Sequence, residues 1–375
     1  MPSKNFVKQT RINESFRNNQ IKSMFDVQTD IIKKEYNINI PIENKDWNIG
    51  LIVGSSGSGK STIAKEIFDK DKYIFFEGFD WDNSKTILDN FDKELSSKEI
   101  VEAISKVGFN SPPDWLKPYS LLSNGEKFRV DLARIILESK KIPIVDEFTS
   151  VVDRQVAKVG SIAVSKFIRK MKRSFIAVSC HYDIIDYLQP DWIYDVNKNS
   201  FEWREVRQFP RFNLDIYKTA EKKYYWKLFK KYHYLSSNLH VTSDVYLGCI
   251  ENVPVCLCAM ITFPNVNKIK KVHRIVVLPD YQGIGIANKM LNFVCSLYSD
   301  KYKVLITTGN YGFVRSLNKS PNWILKSRPK FNTTLNTGKI RKSSGLNNTI
   351  SYNRLTCSFQ FRSITKIGNN NGTNL

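Results

Sequence analysis

The sequence has no cysteine pair spaced C-x-x-C, no apolar run approaching the roughly 18 residues of a membrane span, and not one acidic residue after Asp300. The six cysteines, at 180, 249, 256, 258, 295 and 357, are scattered in apolar contexts. That pattern fits buried thiols in a reducing compartment better than a disulfide framework or a metal cage. The opening MPSKNFVKQTRINESF is polar and has no apolar signal core, so a soluble, cytoplasmic protein is expected. Apolar residues make up 42% of the 375, which excludes wholesale disorder, and the length suits about two domains. No internal repeat is visible.

The missing acid is the first functional clue. The chain carries 57 Lys and Arg against 36 Asp and Glu, a formal charge of +21. Residues 201–375 hold 27 basic and 8 acidic side chains, so +19 of that excess lies in the second part. A solvated basic surface is the plain reading; an anionic partner, nucleic acid first and CoA phosphates second, is the functional one.

Along the chain, strands and helices alternate up to about residue 200. Alternation at 36–40 and an apolar run at 50–53 read as strands, 77–99 as a polar stretch, 125–139 as a helix and 142–145 as a strand. A helix near 154–172 and a strand at 174–179 follow. This order implies a parallel sheet covered by helices. A linker is expected near 204–213. Beyond it the pattern changes to a hairpin of 245–250 with 255–262, a strand at 274–278, a helix from about 285 to 297 and a strand at 303–308. The second part is therefore expected to be α+β. The boundaries drawn are 1–205, 206–367 and a Gly/Asn-rich disordered tail at 368–375.

Gly54-x-x-x-x-Gly59-Lys60-Ser61 meets the full phosphate-loop pattern between an apolar strand and a helix. Gly54, Gly57 and Gly59 let backbone N–H groups wrap phosphates. Lys60 reaches the terminal phosphates, the Ser61 hydroxyl is a Mg²⁺ ligand, and Thr62 continues the helix start. Further on, Leu122-Ser123-Asn124-Gly125-Glu126 opens a helix, the strand 142–145 ends in Asp146-Glu147, and His181 follows a strand 35 positions after Asp146.

In these residues, in this order and spacing, the sequence resembles the ATP-binding-cassette (ABC) ATPases. The resemblance implies that Asp146 holds Mg²⁺, Glu147 polarises the attacking water, and His181 contacts the γ-phosphate. Ser123 and Gly125 would cap ATP on an opposing subunit, hence an ATP-dependent homodimer. There are departures. No Gln lies between Lys60 and Leu122, so the family's Gln loop lacks its metal-touching residue, with Trp81 or Asp82 near its place. Phe148 stands where Pro is usual.

In the second part, Gln282-x-x-Gly285-x-Ala287 follows a strand and opens a helix. With Leu278 and Gly283 it resembles the acyl-CoA loop of the GCN5-related N-acetyltransferases (GNAT). Small residues there admit a pyrophosphate to the helix start, which implies acetyl-CoA as a cofactor. The segment 231–236 resembles the His-Tyr stretch of Mom-type phage DNA-modifying acyltransferases. By that likeness His233 or Tyr234 is a general acid or base, and Tyr311 a candidate for protonating the CoA thiolate; packing is the plain alternative for all three. The fold expected is thus an α/β P-loop ABC-type domain followed by an α+β GNAT-like domain. Arg328, Lys330, Lys339, Arg341 and Lys342, near Trp323 and Phe331, offer phosphate neutralisation and stacking to nucleic acid. Two functions follow: an ATPase coupled to an acyl-CoA-dependent N-acyltransferase that modifies nucleic acid, or a DNA-binding ATPase whose basic second domain only docks.

Overall fold

The computed structural model describes residues 2–205, 208–233, 238–262, 268–327 and 356–362. Tyr234, Arg328, Lys330, Lys339, Arg341, Lys342 and the tail from 368 lie outside the described residues.

The chain begins with an arm: β1 (Ser3–Arg11), α1 (Phe16–Phe25) and β2 (Ile31–Asn39), the two strands pairing antiparallel from Ser3 with Asn39 to Arg11 with Ile31. Then come β3 (Ile49–Val53), α2 (Lys60–Ile67), β4 (Tyr73–Phe76), α3 (Ser97–Lys106), α4 (Pro112–Trp115) and α5 (Asn124–Glu138). The first unit is completed by β5 (Ile142–Val145), α6 (Arg154–Met171), β6 (Phe175–Ser179), α7 (Ile185–Leu188), β7 (Trp192–Asp195) and β8 (Ser200–Trp203). These six strands form one sheet ordered β4-β5-β6-β3-β7-β8, parallel except for the β7–β8 hairpin. β3 and β6 sit side by side in its centre, and every residue of both is buried. That double-sided burial is why they read as unbroken apolar runs.

The second sheet uses β9 (Asp215–Thr219), β10 (Asp244–Ile250), β11 (Val253–Thr262), β12 (Ile269–Val277), β13 (Lys303–Thr308), β14 (Trp323–Ser327) and β15 (Cys357–Phe361), ordered β14-β15-β13-β12-β11-β10-β9. Among the described strands of this sheet only β12 and β13 run parallel. α8 (Lys222–Phe229) packs on one face, with Trp226 and Phe229 against Val245, Leu247 and Leu257; α9 (Ile286–Ser299) and α10 (Tyr311–Lys319) pack on the other. The β10–β11 hairpin turns on two residues, Glu251 and Asn252, both at positive φ, so Val253 and Pro254, expected in the loop, are the start of β11. β12 begins five residues before the expected strand, and its side chains alternate between buried and partly buried along its length. Five of the six cysteines are buried and all six are free. Among the described residues no helix is long and apolar enough to cross a membrane.

Candidate functional site

The phosphate loop is built by the central strand. β3 delivers Gly54, and α2 starts at Lys60 behind Gly59, which sits at φ +105°. A Cβ at Gly59 would approach the Tyr36 hydroxyl to 2.5 Å, so the arm's β2 closes over the loop and leaves room for glycine alone. Gly57, at the turn of the loop, also has a left-handed φ, +75°, but nothing lies within 4 Å of its missing Cβ. Its glycine is required by backbone conformation rather than by a close neighbour, and the open space beside it leaves the loop accessible to phosphate. From β2 Lys34 Nζ donates to the Ser58 carbonyl at 2.7 Å and lies 3.4 Å from that of Gly57. Lys60 is 7% exposed, and its Nζ donates to the Ser55 carbonyl inside the loop at 2.8 Å. The Ser58 hydroxyl is buried without a hydrogen-bond partner among the described residues. A cradle of amides with an ammonium folded into it and an orphaned hydroxyl beside it suits a nucleotide's phosphates.

Two neighbouring strand ends supply the rest. After β5 comes Asp146, whose carboxylate accepts from the Glu147 amide at 2.9 Å. Glu147 stands at φ +50° and is exposed. Phe148 then dives into the core, 1% exposed, and its amide donates to the Val178 carbonyl at 2.9 Å. Its ring packs against Phe128 and Phe175, with centroids 5.5 and 5.8 Å away. In place of the usual Pro, an aromatic anchor holds the acidic turn. His181 follows β6, its Nδ1 buried without a hydrogen-bond partner among the described residues. Burial, then the Arg154 charge, pulls the imidazole below its ordinary pKa, against the opposing fields of Asp183 and Glu147 and with Lys60 adding to the lowering. The imidazole is therefore neutral at pH 7, and His181 lies within the fields of both Glu147 and Lys60.

Ser123 caps α5 through a reciprocal box: its backbone amide donates to Glu126 Oε2 at 2.9 Å, and the Glu126 amide returns to Ser123 Oγ at 3.4 Å. Gly125 lies in the first turn. No hydrogen bond or ion pair among the described residues joins Ser123 or Gly125 to the phosphate loop within one chain. Neither candidate for the missing Gln faces that loop by hydrogen bonding. Trp81 stacks on Tyr119 at 4.7 Å, and both donate to the half-buried Asp131, at 2.9 and 2.7 Å. Asp82 accepts from Ser84 and Lys85.

In the second unit, the turn Pro279–Tyr281 carries the chain from Leu278 to Gln282, and α9 starts behind Gly285 at φ +97°, with none of the described residues within 4 Å of its missing Cβ. Ala287 is in the first turn of α9. Gln282 is heavily engaged: its Nε2 donates to Val277 O at 2.9 Å and its Oε1 accepts the Asn110 amide at 2.9 Å, so the loop is tied both to its own strand and to the first unit. Tyr311 opens α10, with Lys98 Nζ of the first unit 5.9 Å from its ring centroid. His233 lies instead near Trp226, ring centroids 5.9 Å apart, on the α8 side of the sheet. The fold does not bring His233 and Tyr311 together, because they belong with helices packed on opposite faces.

Sequence reasoning missed two residues here. His273 occupies a bulge in β12, where Ala259 pairs with Arg274 and Met260 with Val272. Its Nε2 is buried without a hydrogen-bond partner among the described residues, and burial first, then Arg274 and His240, depress the imidazole to about 4, with His233 adding to the effect. A bulge has no signature in the pattern of β12. The other is Arg129, described below.

No family model matches the chain. Its sequence is similar to the methionine import ATP-binding protein MetN of Clostridium tetani, 28% identical over 185 residues, 39% of this chain and 57% of that one. It is also similar to the ATP-binding protein YdiF of Bacillus subtilis, 34% identical over 120 residues, 27% of this chain and 18% of that one. The chain spans about half the length of the MetN relatives it matches. The dimeric post-hydrolysis structure of the ATP-binding cassette MJ0796 with ADP and Pi matches 55% of this chain and 99% of its own at 20% identity with a TM-score of 0.39, too loose an overlay to bear on assembly. Phosphate loop, acidic strand end, capped Ser123 helix and sequence similarity together liken the first half of the chain to ABC-type ATP-binding domains.

Proposed function

We propose that the chain binds and hydrolyses Mg²⁺-ATP as a homodimer and couples this to acyl transfer from acetyl-CoA by the second unit, with nucleic acid as acceptor. The observation that carries the ATPase reading is the convergence of Lys60, Glu147 and His181 at three adjacent strand ends. Lys60, already turned into the loop, exchanges the Ser55 carbonyl for phosphate oxygens. Mg²⁺, for which Ser61 and Asp146 supply hard oxygen donors, would neutralise charge on the phosphates. Glu147, exposed and held by the Phe148 anchor, orients water for in-line attack. His181, neutral, contributes an N–H to the terminal phosphate without adding charge. Ser123 with its helix start faces outward and completes the site of a second subunit.

The acyl-CoA reading rests on the open helix start behind Gly285, whose amides suit a pyrophosphate. Tyr311, at the start of the neighbouring helix, is the candidate acid. Lys326 and the basic run beyond it supply the charge for a nucleic-acid acceptor. The engagement of Gln282 with the first unit favours the second reading, a docking module without transferase activity. Calorimetry with CoA separates them: the wild-type chain binds CoA, and Gly285→Gln, which fills the open space, weakens binding at least tenfold. No binding by the wild type, or equal binding by Gly285→Gln, counts against the transferase.

A further inference from the structure

The loop before α9 is clamped by the helix that starts at Ser123. Arg129 lies six positions along α5 from Ser123, about 9 Å at ~1.5 Å per residue. It is 3% exposed, yet among the described residues its guanidinium donates only to backbone carbonyls: Val107 at 3.1 Å in its own unit, and Gln282 at 3.3 Å and Asp280 at 3.4 Å in the other. Burial lowers its pKa to about 10, opposed by Asp280, Glu126 and Asp153. Glu126, the residue that holds Ser123, thus shares the field of the same guanidinium.

The surroundings leave this contact little slack. Gly108, at φ +92°, has no room for a Cβ, which would overlap the Arg129 guanidinium and lie 2.6 Å from the Gln282 carbonyl oxygen. Gly283, at φ +89°, would bring a Cβ within 3.0 Å of Gly108 Cα and 3.1 Å of Ala163 Cβ. Asn110 adds its amide to the Gln282 side chain at 2.9 Å. A second anchor pairs Arg315 of α10 with Glu102 of α3. Packed elements of this kind move together or break, since buried donors separated from their carbonyls find no water to replace them.

We propose that Arg129 is a positioning residue that ties the ATP-capping helix to the anion loop. Closure of Ser123 over a partner subunit's nucleotide then shifts the backbone of Gln282–Gly285 and changes that loop's hold on a phosphate-bearing ligand. The inference rests on the reading of Ser123 and of Gly285 given above, and it deepens that reading by assigning the transferase site a nucleotide-dependent control. Coupling of this kind is reciprocal: whatever factor ATP imposes on the loop's ligand, that ligand imposes on ATP.

The test is hydrogen–deuterium exchange of the full chain carrying Glu147→Gln, which keeps ATP unhydrolysed, with and without Mg²⁺-ATP, reading amides 280–290, alongside calorimetry with CoA. The expected result is a change of about fivefold or more in exchange of that segment on ATP addition, with CoA affinity changing by a similar factor. Adding Arg129→Lys, which keeps the charge but cannot span carbonyls of both units, abolishes the change while ATP affinity stays within about threefold. Ala163→Val, a wedge from α6, does the same should Arg129→Lys fail to fold. Unchanged exchange in Glu147→Gln overturns the latch even if CoA binds, and a change that survives both variants removes Arg129 from it. A change without CoA binding keeps the latch and ends the acyl-CoA reading.

Discussion

Phe148→Ala removes the anchor of the Asp146-Glu147 turn, and its cost follows from the structure. The ring is 1% exposed and wedged between Phe128 of α5 and Phe175 of β6, the helix that carries Ser123 and the strand that leads to His181. A buried Phe→Ala change costs about 3–5 kcal/mol, the loss of transfer energy plus the cavity left behind. For a domain of this size each kcal/mol lowers the melting temperature by about 2–4 °C, so a fall of roughly 6–20 °C is expected in the ATPase unit's transition. Phe148→Leu, which refills much of the volume, should lose under half as much. The anchor also fixes Glu147 at its left-handed φ, so ATP turnover should fall at least tenfold at a temperature where the variant is still folded, with ATP affinity within about threefold. Calorimetric melting and steady-state phosphate release read both. A loss below about 1 kcal/mol, or full turnover in the folded variant, would refute the account of Phe148 as the replacement for the usual Pro.

Two further outcomes are expected. His273 is held neutral with a folded pKa of about 4 against an ordinary 6.5, so the unfolded chain binds the extra proton first as pH falls. Stability of the second unit should be full above pH 6.5 and decline toward pH 4, and His273→Phe should flatten that decline in urea melts; an unaltered pH profile contradicts the buried imidazole. Changing Lys339, Arg341 and Lys342 together to Ser should flatten the salt dependence of DNA binding by about two to three units of log–log slope, leaving ATP hydrolysis without DNA intact; a triple variant that binds like the wild type returns the basic run to mere surface.

The phosphate loop and the strand-end Asp146-Glu147 were legible because their chemistry demands fixed residue types at fixed spacing, and the buried strands β3, β5 and β6 stood out as unbroken apolar runs. The arm was legible only in part. β2 alternates, but β1 is almost wholly exposed and α1 buries nothing, so neither leaves a periodic apolar signal. β15 pairs with β13 some 50 positions away, a partnership that local pattern does not encode. Arg129 reads as one more polar residue on an amphipathic helix, since two of its three main-chain carbonyl partners lie about 150 positions off. From their place before a helix, Gln282 and Gly283 read as ligand groups. Their engagement with Gly108, Asn110 and Arg129 emerges only when the two units are side by side.

The central claim is that Lys60, Glu147 and His181 form half of an ATP site that Ser123 of a second subunit completes. Sedimentation of Glu147→Gln with Mg²⁺-ATP tests it most directly. The account predicts a shift from monomer to dimer that requires ATP, is lost with Ser123→Arg, and accompanies a fall in ATP turnover of at least a hundredfold. A Glu147→Gln protein that binds ATP yet stays monomeric, or that hydrolyses it at the wild-type rate, would contradict it.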